Sequence, residues 1–256
     1  MFRTLTELYN DRSHFMVTAH RGASFEFPEN TLCSMEKAVE AGVDMIEFDL
    51  RGTADGVPVL LHDHTIDRTS NGTGYPEDQT LADLKRLNFS YWLQGMRRTT
   101  PAYDVMEIPT FEEILIALRD KVCMNIQVYA KTEEVLKEIC RLYKKYEMYD
   151  RGYFTINPES VDIVRAIDPE IELCVTRGWQ DRTDPANLRI CREQDGCRFV
   201  QPVREFTTAE SFRLIKELGM RGNVFFCDEP EVLKNLREMG AEGILTNKAH
   251  LMMQSI

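Results

Sequence analysis

Short apolar segments alternate with amphipathic segments along the chain, and this alternation constrains its fold more than any other feature. The apolar segments have the length and composition of β-strands, and the segments between them have helical periodicity. Repeated βα units of this kind predict a parallel sheet. The candidate strands lie at 15–19, 44–49, 57–62, 122–128, 152–156, 171–176, 198–202, 223–227 and 243–246.

Helix boundaries follow from capping patterns between the candidate strands. Three segments have a hydroxyl or acidic residue followed three residues later by Glu, the pattern of a capping box, and these are Thr110–Glu113, Thr207–Glu210 and Asp228–Glu231. Thr132 precedes two glutamates, which suit a helix N-terminus. Glycines that we expect to end helices are Gly42, Gly219 and Gly240.

The segment after Asp49 reduces nine candidate strands to eight parallel ones. Only seven residues separate Asp49 from Val57, which is too few for the crossover helix that parallel neighbours need. They contain Asp55-Gly56, a hairpin-turn signal. Antiparallel pairing about this turn places position 62 close to Asp49. The return arm of the hairpin therefore does not count as a barrel strand.

We predict a (β/α)8 barrel in a single domain, residues 1–256, with a hairpin and a small insertion at about 50–109, after the second barrel strand. The insertion carries turn residues at 70–74 and a short helix near 81–88. Its aromatic residues have two interpretations: an apolar wall for a lipid-like substrate or, as we favour, the small core of the insertion. These residues are Tyr75, Phe89, Tyr91 and Trp92.

Composition excludes several classes of protein. The net charge of −11 would repel a nucleic-acid backbone, so no nucleic-acid partner is expected. No apolar run approaches the roughly 20 residues of a membrane helix, and no signal peptide is recognisable, so we expect neither stable membrane insertion nor export. The seven cysteines indicate free thiols in a reducing cytoplasm. Cys191 and Cys197 are the one pair close enough in sequence to suggest a disulfide, but the free-thiol interpretation is favoured.

Four polar side chains stand at predicted strand ends in the first quarter of the chain. His20 ends the first strand, Glu47 and Asp49 end the second, and His62 ends the hairpin. In a barrel these ends share the face that carries the active site. Glu47 and Asp49 are two residues apart and therefore face the same side of their strand. We expect all four side chains to point at one spot.

This set of residue types suits metal-assisted cleavage of a phosphodiester. The two carboxylates are hard oxygen ligands that favour Mg²⁺ or Ca²⁺ over zinc. One imidazole can remove a proton from the nucleophile while the other protonates the leaving alkoxide. Arg21 offers a bidentate fork for phosphate oxygens. Glu29 either supports that fork or is simply an acidic residue in the first turn of a helix.

Two pairs of residues beside this set have interpretations that need no catalytic role. Asp63 and His64 are expected to be polar turn residues. Asp67 and Arg68 are adjacent and of opposite charge, which predicts an internal salt bridge.

The segment 19–74 resembles the glycerophosphodiester phosphodiesterase family through the motifs AHRG at 19–22, PENT at 28–31, EFD at 47–49 and LHDHT at 61–65. The resemblance implies a barrel with an insertion, and hydrolysis of small-molecule glycerophosphodiesters to sn-glycerol 3-phosphate and an alcohol through a cyclic phosphate. It also implies roles for the site residues: His20 and His62 as the acid and base, Glu47 and Asp49 as ligands of a divalent cation, and Arg21 as a phosphate contact.

The chain departs from that family at 125–129. The family has Asn-Ile-Glu-Ile-Lys there, whose Glu is a third metal ligand and whose Lys reaches the phosphate, whereas this chain has Gln127 and Tyr129. An amide oxygen can still bind a hard cation, although with one negative charge fewer. Arg177 and Arg204, each at a predicted strand end, are candidates to replace the lysine.

Three functions therefore stay open at the level of sequence. The first is a working phosphodiesterase with an altered substrate preference. The second is a non-catalytic phosphodiester-binding protein with a degenerate metal site. The third is a relative that stops at the cyclic phosphate or cleaves lysophospholipids.

Overall fold

The computed structural model describes residues 3–130 and 132–256; the predicted domain, 1–256, also includes residues 1, 2 and 131, which lie outside this part. The strands are β1 (Met16–His20), β2 (Met45–Gly52), β3 (Pro58–Leu60), β4 (Trp92–Leu93), β5 (Met96–Arg97), β6 (Cys123–Val128), β7 (Gly152–Ile156), β8 (Leu173–Val175), β9 (Phe199–Val200), β10 (Arg221–Gly222) and β11 (Gly243–Thr246). The helices are α1 (Leu5–Asn10), α2 (Leu32–Ala41), α3 (Leu81–Leu84), α4 (Phe111–Leu118), α5 (Glu133–Lys145), α6 (Val161–Ile167), α7 (Pro185–Glu193), α8 (Ala209–Glu217), α9 (Pro230–Met239) and α10 (Ala249–Met253).

Eight parallel strands form a ring. Backbone pairing runs in the order β11, β1, β2, β6, β7 and β8. A bridge between Val224 and Ile244 links the segment after β10 to β11, and β9 pairs with β10. The neighbouring strands β8 and β9 complete the ring. The arrangement is the predicted (β/α)8 barrel, although the predicted strand 223–227 contributes bridges rather than a regular strand.

Apolar side chains seal the amino-terminal end of the barrel. Alternate residues of the strands point outward and pack under the helices, as Val17 and Phe48 do. The inward residues at the bottom form a separate apolar layer with Leu5 and Leu8 of α1; this layer contains Met16, Met45, Cys123, Tyr153, Cys174 and Phe199. The polar inward side chains are consequently concentrated at the carboxyl end.

The predicted hairpin is present, and its register differs from the expected one by a single residue. β3 runs antiparallel to β2, and the N–H of Leu61, rather than of position 62, donates to the carbonyl of Asp49 (3.0 Å). The reason is a three-residue loop: Thr53 pairs with Val57, and Gly56 takes a positive φ of 78°.

The insertion between β3 and α4 has a small core of its own. That core consists of Val59, Leu61, Ile66, Leu84, Phe89 and Ile108. The core interpretation of the aromatic residues holds for Phe89. It is wrong for Tyr75, which is 55% exposed, and for Trp92, which lines a cavity of the barrel mouth. Tyr91 is half-buried and its ring faces the guanidinium of Arg97.

Most predicted helix boundaries are confirmed. Thr110 forms its capping box with Glu113, and the Thr132 hydroxyl caps α5. Gly42 and Gly240 are the C-caps of α2 and α9, and Gly219 follows the C-cap of α8. Two predictions are wrong. The box of α8 is formed by Thr208 with Ser211, one residue later than expected, and Asp228 does not cap α9.

The cysteines and the helices agree with two further predictions. All seven cysteines are free, including Cys191 and Cys197. Across residues 3–130 and 132–256, no helix combines the length and apolarity that crossing a membrane would need.

Candidate active site

His20, at the carboxyl end of β1, is held by a chain of hydrogen bonds from residues near the C-terminus. Its Nδ1 lies 2.7 Å from Oδ1 of Asn247, and Nδ2 of Asn247 donates to Asp228 (2.7 Å), which fixes the amide orientation. The proton is therefore on Nδ1, and Nε2 is free to accept one. Burial, together with the charge of Arg21, lowers the pKa of His20 to about 3. A neutral imidazole with a free Nε2 is equipped to act as a base at pH 7.

Asp228 binds Asn247 in this chain of hydrogen bonds instead of capping α9. Its Oδ1 accepts hydrogen bonds from the Thr246 hydroxyl (2.9 Å) and from the Asn247 N–H (2.7 Å). Both partners are at the end of β11. With the bond from Nδ2, the carboxylate accepts three hydrogen bonds, two of which come from Asn247 and fix its position.

Glu47 and Asp49 are buried beside one another on β2, with exposed fractions of 4% and 1%. Glu47 accepts the backbone N–H of Arg21 (3.0 Å), and Asp49 accepts Nδ2 of Asn30 (2.8 Å). Nε2 of His20 lies 3.9 Å from Glu47. Burial and the neighbouring Asp49 charge raise the pKa of Glu47 well above its usual range. A bound cation would relieve this repulsion.

Arg21 lies between the carboxylates and the cavity. Its Nη1 donates to Glu29 (2.9 Å), so Glu29 supports the fork in the way the sequence suggested. Its Nε lies 3.2 Å from Asp49 but without hydrogen-bond geometry, which leaves a buried donor free for another oxygen. That donor is suited to a phosphate oxygen.

His62 is oriented by the residue that follows it. Its Nδ1 lies 2.7 Å from Oδ1 of Asp63, and Arg68 donates to both oxygens of Asp63 (2.6 and 3.0 Å). Arg68 also donates to both oxygens of Glu29 (2.7 Å each). The guanidinium of Arg68 therefore links Glu29, the partner of Arg21, to Asp63, the partner of His62.

Two sequence interpretations are thereby wrong. Asp63 is not merely a polar turn residue, because it holds His62. Asp67 does not pair with Arg68; its carboxylate accepts the backbone N–H of Gly74 (3.0 Å). The buried carboxylate of Glu29 and the half-buried carboxylate of Asp63 bind the arginine instead, and no local pattern in the sequence indicated this choice.

The site opens into a cavity of about 530 Å³. The indole of Trp92, from the insertion, lies 4.6 Å from the guanidinium of Arg68 and forms part of the cavity wall. Phe226 also lines the cavity, and its ring is stacked near that of His20 (6.4 Å between centroids). Other lining residues are Arg21, Glu29, His62, Asp63, Asn247 and Lys248. The cavity is therefore bounded by His62, by Asn247, which is the partner of His20, and by Arg21 with Glu29.

Gln127 of β6 lies in register with Asp49 of β2. Its Nε2 donates to the carbonyl of Thr155 (3.1 Å), so its Oε1 is the atom left to contact a cation. Within 3–130 and 132–256, no three His, Cys, Asp or Glu side chains form a metal-binding group. Two carboxylates and an amide oxygen on adjacent strands still fit a hard cation such as Mg²⁺ or Ca²⁺. The charge of this ligand set is one unit smaller than that of three carboxylates.

Tyr129 occupies the position of the absent lysine. Its ring is perpendicular to the imidazole of His62 at 5.6 Å, and the guanidinium of Arg51 lies 5.1 Å from the ring centre. Burial and the charges of Asp49 and Glu47 raise the pKa of Tyr129, so the phenol keeps its proton and can donate it in a hydrogen bond.

The two arginines suggested as replacements for the lysine are engaged elsewhere. Arg177 donates to Asp195 (2.9 Å), and Arg204 pairs with Glu205 (3.2 Å) and Glu229 (3.5 Å). Neither lines the cavity of the candidate site.

Two proteins with similar sequences are glycerophosphodiester phosphodiesterases. A glycerophosphodiester phosphodiesterase of Caldanaerobacter subterraneus subsp. tengcongensis is 34% identical over 237 residues, covering 91% of this chain and 93% of the relative. One of Bacillus subtilis is 29% identical over 250 residues, covering 91% of this chain and 83% of the relative.

Solved structures share the fold. An Oleispira antarctica phosphodiesterase in complex with sn-glycerol 3-phosphate has a TM-score of 0.78 at 23% identity, covering 94% of this chain and 96% of the other. A Silicibacter pomeroyi structure described as a glycerophosphoryl diester phosphodiesterase has a TM-score of 0.81 at 20% identity, covering 99% and 98%. The family model for glycerophosphoryl diester phosphodiesterases matches residues 20–251. The chain therefore belongs to the glycerophosphoryl diester phosphodiesterase family.

Proposed function

We propose that the protein hydrolyses glycerophosphodiesters to sn-glycerol 3-phosphate and an alcohol with the help of Mg²⁺ or Ca²⁺. One observation carries the proposal: the two imidazoles have different, fixed hydrogen-bond partners. His20 is neutral and hydrogen-bonded to an amide, whereas His62 is hydrogen-bonded to a carboxylate. The product named in the Oleispira antarctica complex supports the same substrate class.

The residue roles follow from these partners. Arg21 holds the phosphate through its free Nε, positioned by Glu29. The attacking hydroxyl gives its proton to Nε2 of His20, and the leaving oxygen takes a proton from the imidazole of His62. Oδ1 of Asp63 lies 2.7 Å from Nδ1 of His62 and so orients the imidazole for this transfer. A divalent cation held by Glu47, Asp49 and Gln127 would neutralise phosphate charge and polarise the P–O bond.

The first test is phosphomonoester release from glycerophosphodiesters by the purified protein with EDTA, Mg²⁺ or Ca²⁺. We expect metal-dependent release that His20→Ala abolishes. His250→Ala, which removes an imidazole from α10 outside the site, is the matched control and should keep full activity. Absence of release with every cation would contradict the proposal. Phosphorus NMR of the product separates complete hydrolysis from a reaction that ends at the cyclic phosphate, and lysophospholipid substrates test the remaining alternative.

A second candidate function, binding without turnover, is motivated by Gln127 and Tyr129, which replace a carboxylate and a lysine of the family pattern. The amide in the place of a carboxylate lowers the negative charge that would hold the cation. Under this alternative, calorimetry detects diester binding by the wild-type protein, and Gln127→Glu creates activity. If the wild-type protein turns over substrate, we expect Gln127→Glu only to lower the Mg²⁺ concentration required, by about tenfold.

Two further properties belong to the same proposal. The net charge of −11 supports a small-molecule substrate and argues against a nucleic-acid partner. The seven free cysteines support a reducing compartment such as the cytoplasm.

A further inference from the structure

A second cavity, of about 650 Å³, adjoins the candidate site at His62. We call it the side pocket. It opens where β6 and β7 end, and His62 lines both it and the cavity of the site. Its other walls include the apolar side chains of Leu136 and Ile163 and the polar side chains of Tyr129, Asn157 and Ser160. None of these five residues is used by the proposed hydrolysis.

The position of His62 relates the side pocket to the reaction. In the proposed mechanism the leaving oxygen lies next to His62 when it takes the proton. The phosphate fork is in the cavity on one side of that imidazole, and the side pocket is on the other. The carbon skeleton attached to the leaving oxygen therefore has the side pocket as its nearest enclosed space.

The charge in the pocket wall discriminates between alcohols. Arg51 lines the pocket, is only 2% exposed and donates from Nε and Nη2 to the carbonyl of His62 (3.0 and 2.8 Å). Nη1 of Arg51 pairs with Glu77 at 3.7 Å, beyond hydrogen-bond distance, and the Glu77 side chain is 41% exposed, so solvent weakens this pairing. A cationic alcohol such as choline would be repelled by this buried charge. The guanidinium of Arg51 also already faces the ring of Tyr129, the ring that a quaternary ammonium group would otherwise contact.

The remaining polar groups of the wall suit hydroxyl groups. The Tyr129 phenol, the Asn157 amide and the Ser160 hydroxyl can each donate and accept hydrogen bonds. Two carboxylates also line the pocket. Glu159 is on the exposed rim, where solvent screens its charge, and both oxygens of Asp63 accept hydrogen bonds from Arg68, whose charge offsets that of the carboxylate. We propose that the side pocket binds the alcohol part of the diester and selects an uncharged polyol over a quaternary ammonium alcohol. This proposal rests on the proposed function.

The test compares three glycerophosphodiesters whose alcohols are glycerol, choline and methanol. We expect the wild-type protein to have a kcat/KM about tenfold higher for the glycerol diester than for the choline diester. The methyl diester is too small to fill the side pocket, and its kcat/KM reports the chemistry alone.

Ser160→Trp fills the side pocket with an indole. The Ser160 side chain makes no capping hydrogen bond to α6, so its loss removes no helix cap. We expect kcat/KM for the glycerol diester to fall about tenfold and that for the methyl diester to change less than about twofold. Asp162→Trp places the same indole on the exposed face of α6, outside the pocket lining, and should leave both values within about twofold.

The outcomes are distinguishable. Equal losses on the glycerol and methyl diesters, no loss on either, or a preference for the choline diester would overturn the side-pocket proposal alone. No release from any of the three would contradict the proposed function and with it this inference. If Ser160→Trp does not fold, Asn157→Ala replaces it, with an expected loss of about threefold on the glycerol diester only.

Discussion

The two histidines of the site differ in every neighbour that controls their protons. His20 is on a barrel strand, nearly enclosed, with an amide as its hydrogen-bond partner. His62 is on the hairpin arm, half-buried, with a carboxylate as its partner. The partners therefore differ in charge, with an amide beside His20 and a carboxylate beside His62. On this difference we base the proposal that His20 is the base and His62 the acid.

The largest expected effect separates the two roles through the leaving group. His20→Ala and His62→Ala should each reduce kcat about 10²- to 10⁴-fold on alkyl diesters. On a p-nitrophenyl diester, whose leaving group needs no proton, His62→Ala should regain most of its activity and His20→Ala should not. Steady-state rates on the two substrates measure this difference. Rescue of His20→Ala instead would reverse the assignment.

A smaller effect is expected from the partner of the acid. Although burial opposes it, hydrogen bonds from His62 and Arg68 hold the pKa of Asp63 well below its usual range, so this residue is an anion at pH 7. Asp63→Asn removes that charge and should lower kcat on alkyl diesters about 10- to 100-fold, with little change on the p-nitrophenyl diester. Equal losses on both substrates would show that Asp63 does not act through proton donation.

Arg68 should contribute less again, because it positions other residues without contacting the reacting atoms. Arg68→Lys keeps the charge but cannot donate to Glu29 and Asp63 together in fork geometry. We expect a loss of about tenfold in kcat/KM, with both KM and kcat affected, because the fork and the acid are disturbed together. Arg86→Lys, at an exposed site in the insertion, is the control. A change confined to KM would mean that Arg68 supports only the fork.

The smallest effect concerns stability and its pH dependence. Burial would raise the pKa of Glu29, but Arg68 and Arg21 lower it to about 2. A depressed folded-state pKa contributes stability above the unfolded value near 4.5, and that contribution is lost as pH falls towards 2. Glu29→Gln should therefore be less stable than wild type at pH 7, by about 1–3 kcal/mol, with the gap closing in acid. Urea unfolding at several pH values measures this difference in the free energy of unfolding. Glu36→Gln, at an exposed position of α2, is the control and should not differ from wild type.

The barrel and the first part of the site were predictable because their determinants are local. The βα alternation and the short turn at Gly56 define the ring and the hairpin. His20 ends β1 and His62 follows β3, whereas Glu47 and Asp49, predicted at a strand end, lie within β2 because that strand continues to Gly52 as an arm of the hairpin. Such positions can be read from spacing alone.

The residues that hold His20 and Asp63 in place were not predictable by the same means. Asn247 reaches His20 only because the ring brings β11 beside β1, across more than two hundred residues of chain. The same closure brings Asp228 to Asn247, although its local sequence resembles a helix cap. Arg68 depends on how the insertion folds over the mouth. These contacts depend on long-range packing, which a short sequence motif does not encode.

The hydrogen bonds from Arg68 to Glu29 and Asp63 also have a consequence for thermal inactivation. This residue belongs to the insertion, whose small core is separate from the core under the barrel helices. A unit with few buried contacts opens at lower free energy than the body to which it is attached. Opening it would release Glu29, Asp63 and the Trp92 wall at once while the ring of strands stayed intact. On heating, activity should therefore disappear before the barrel melts.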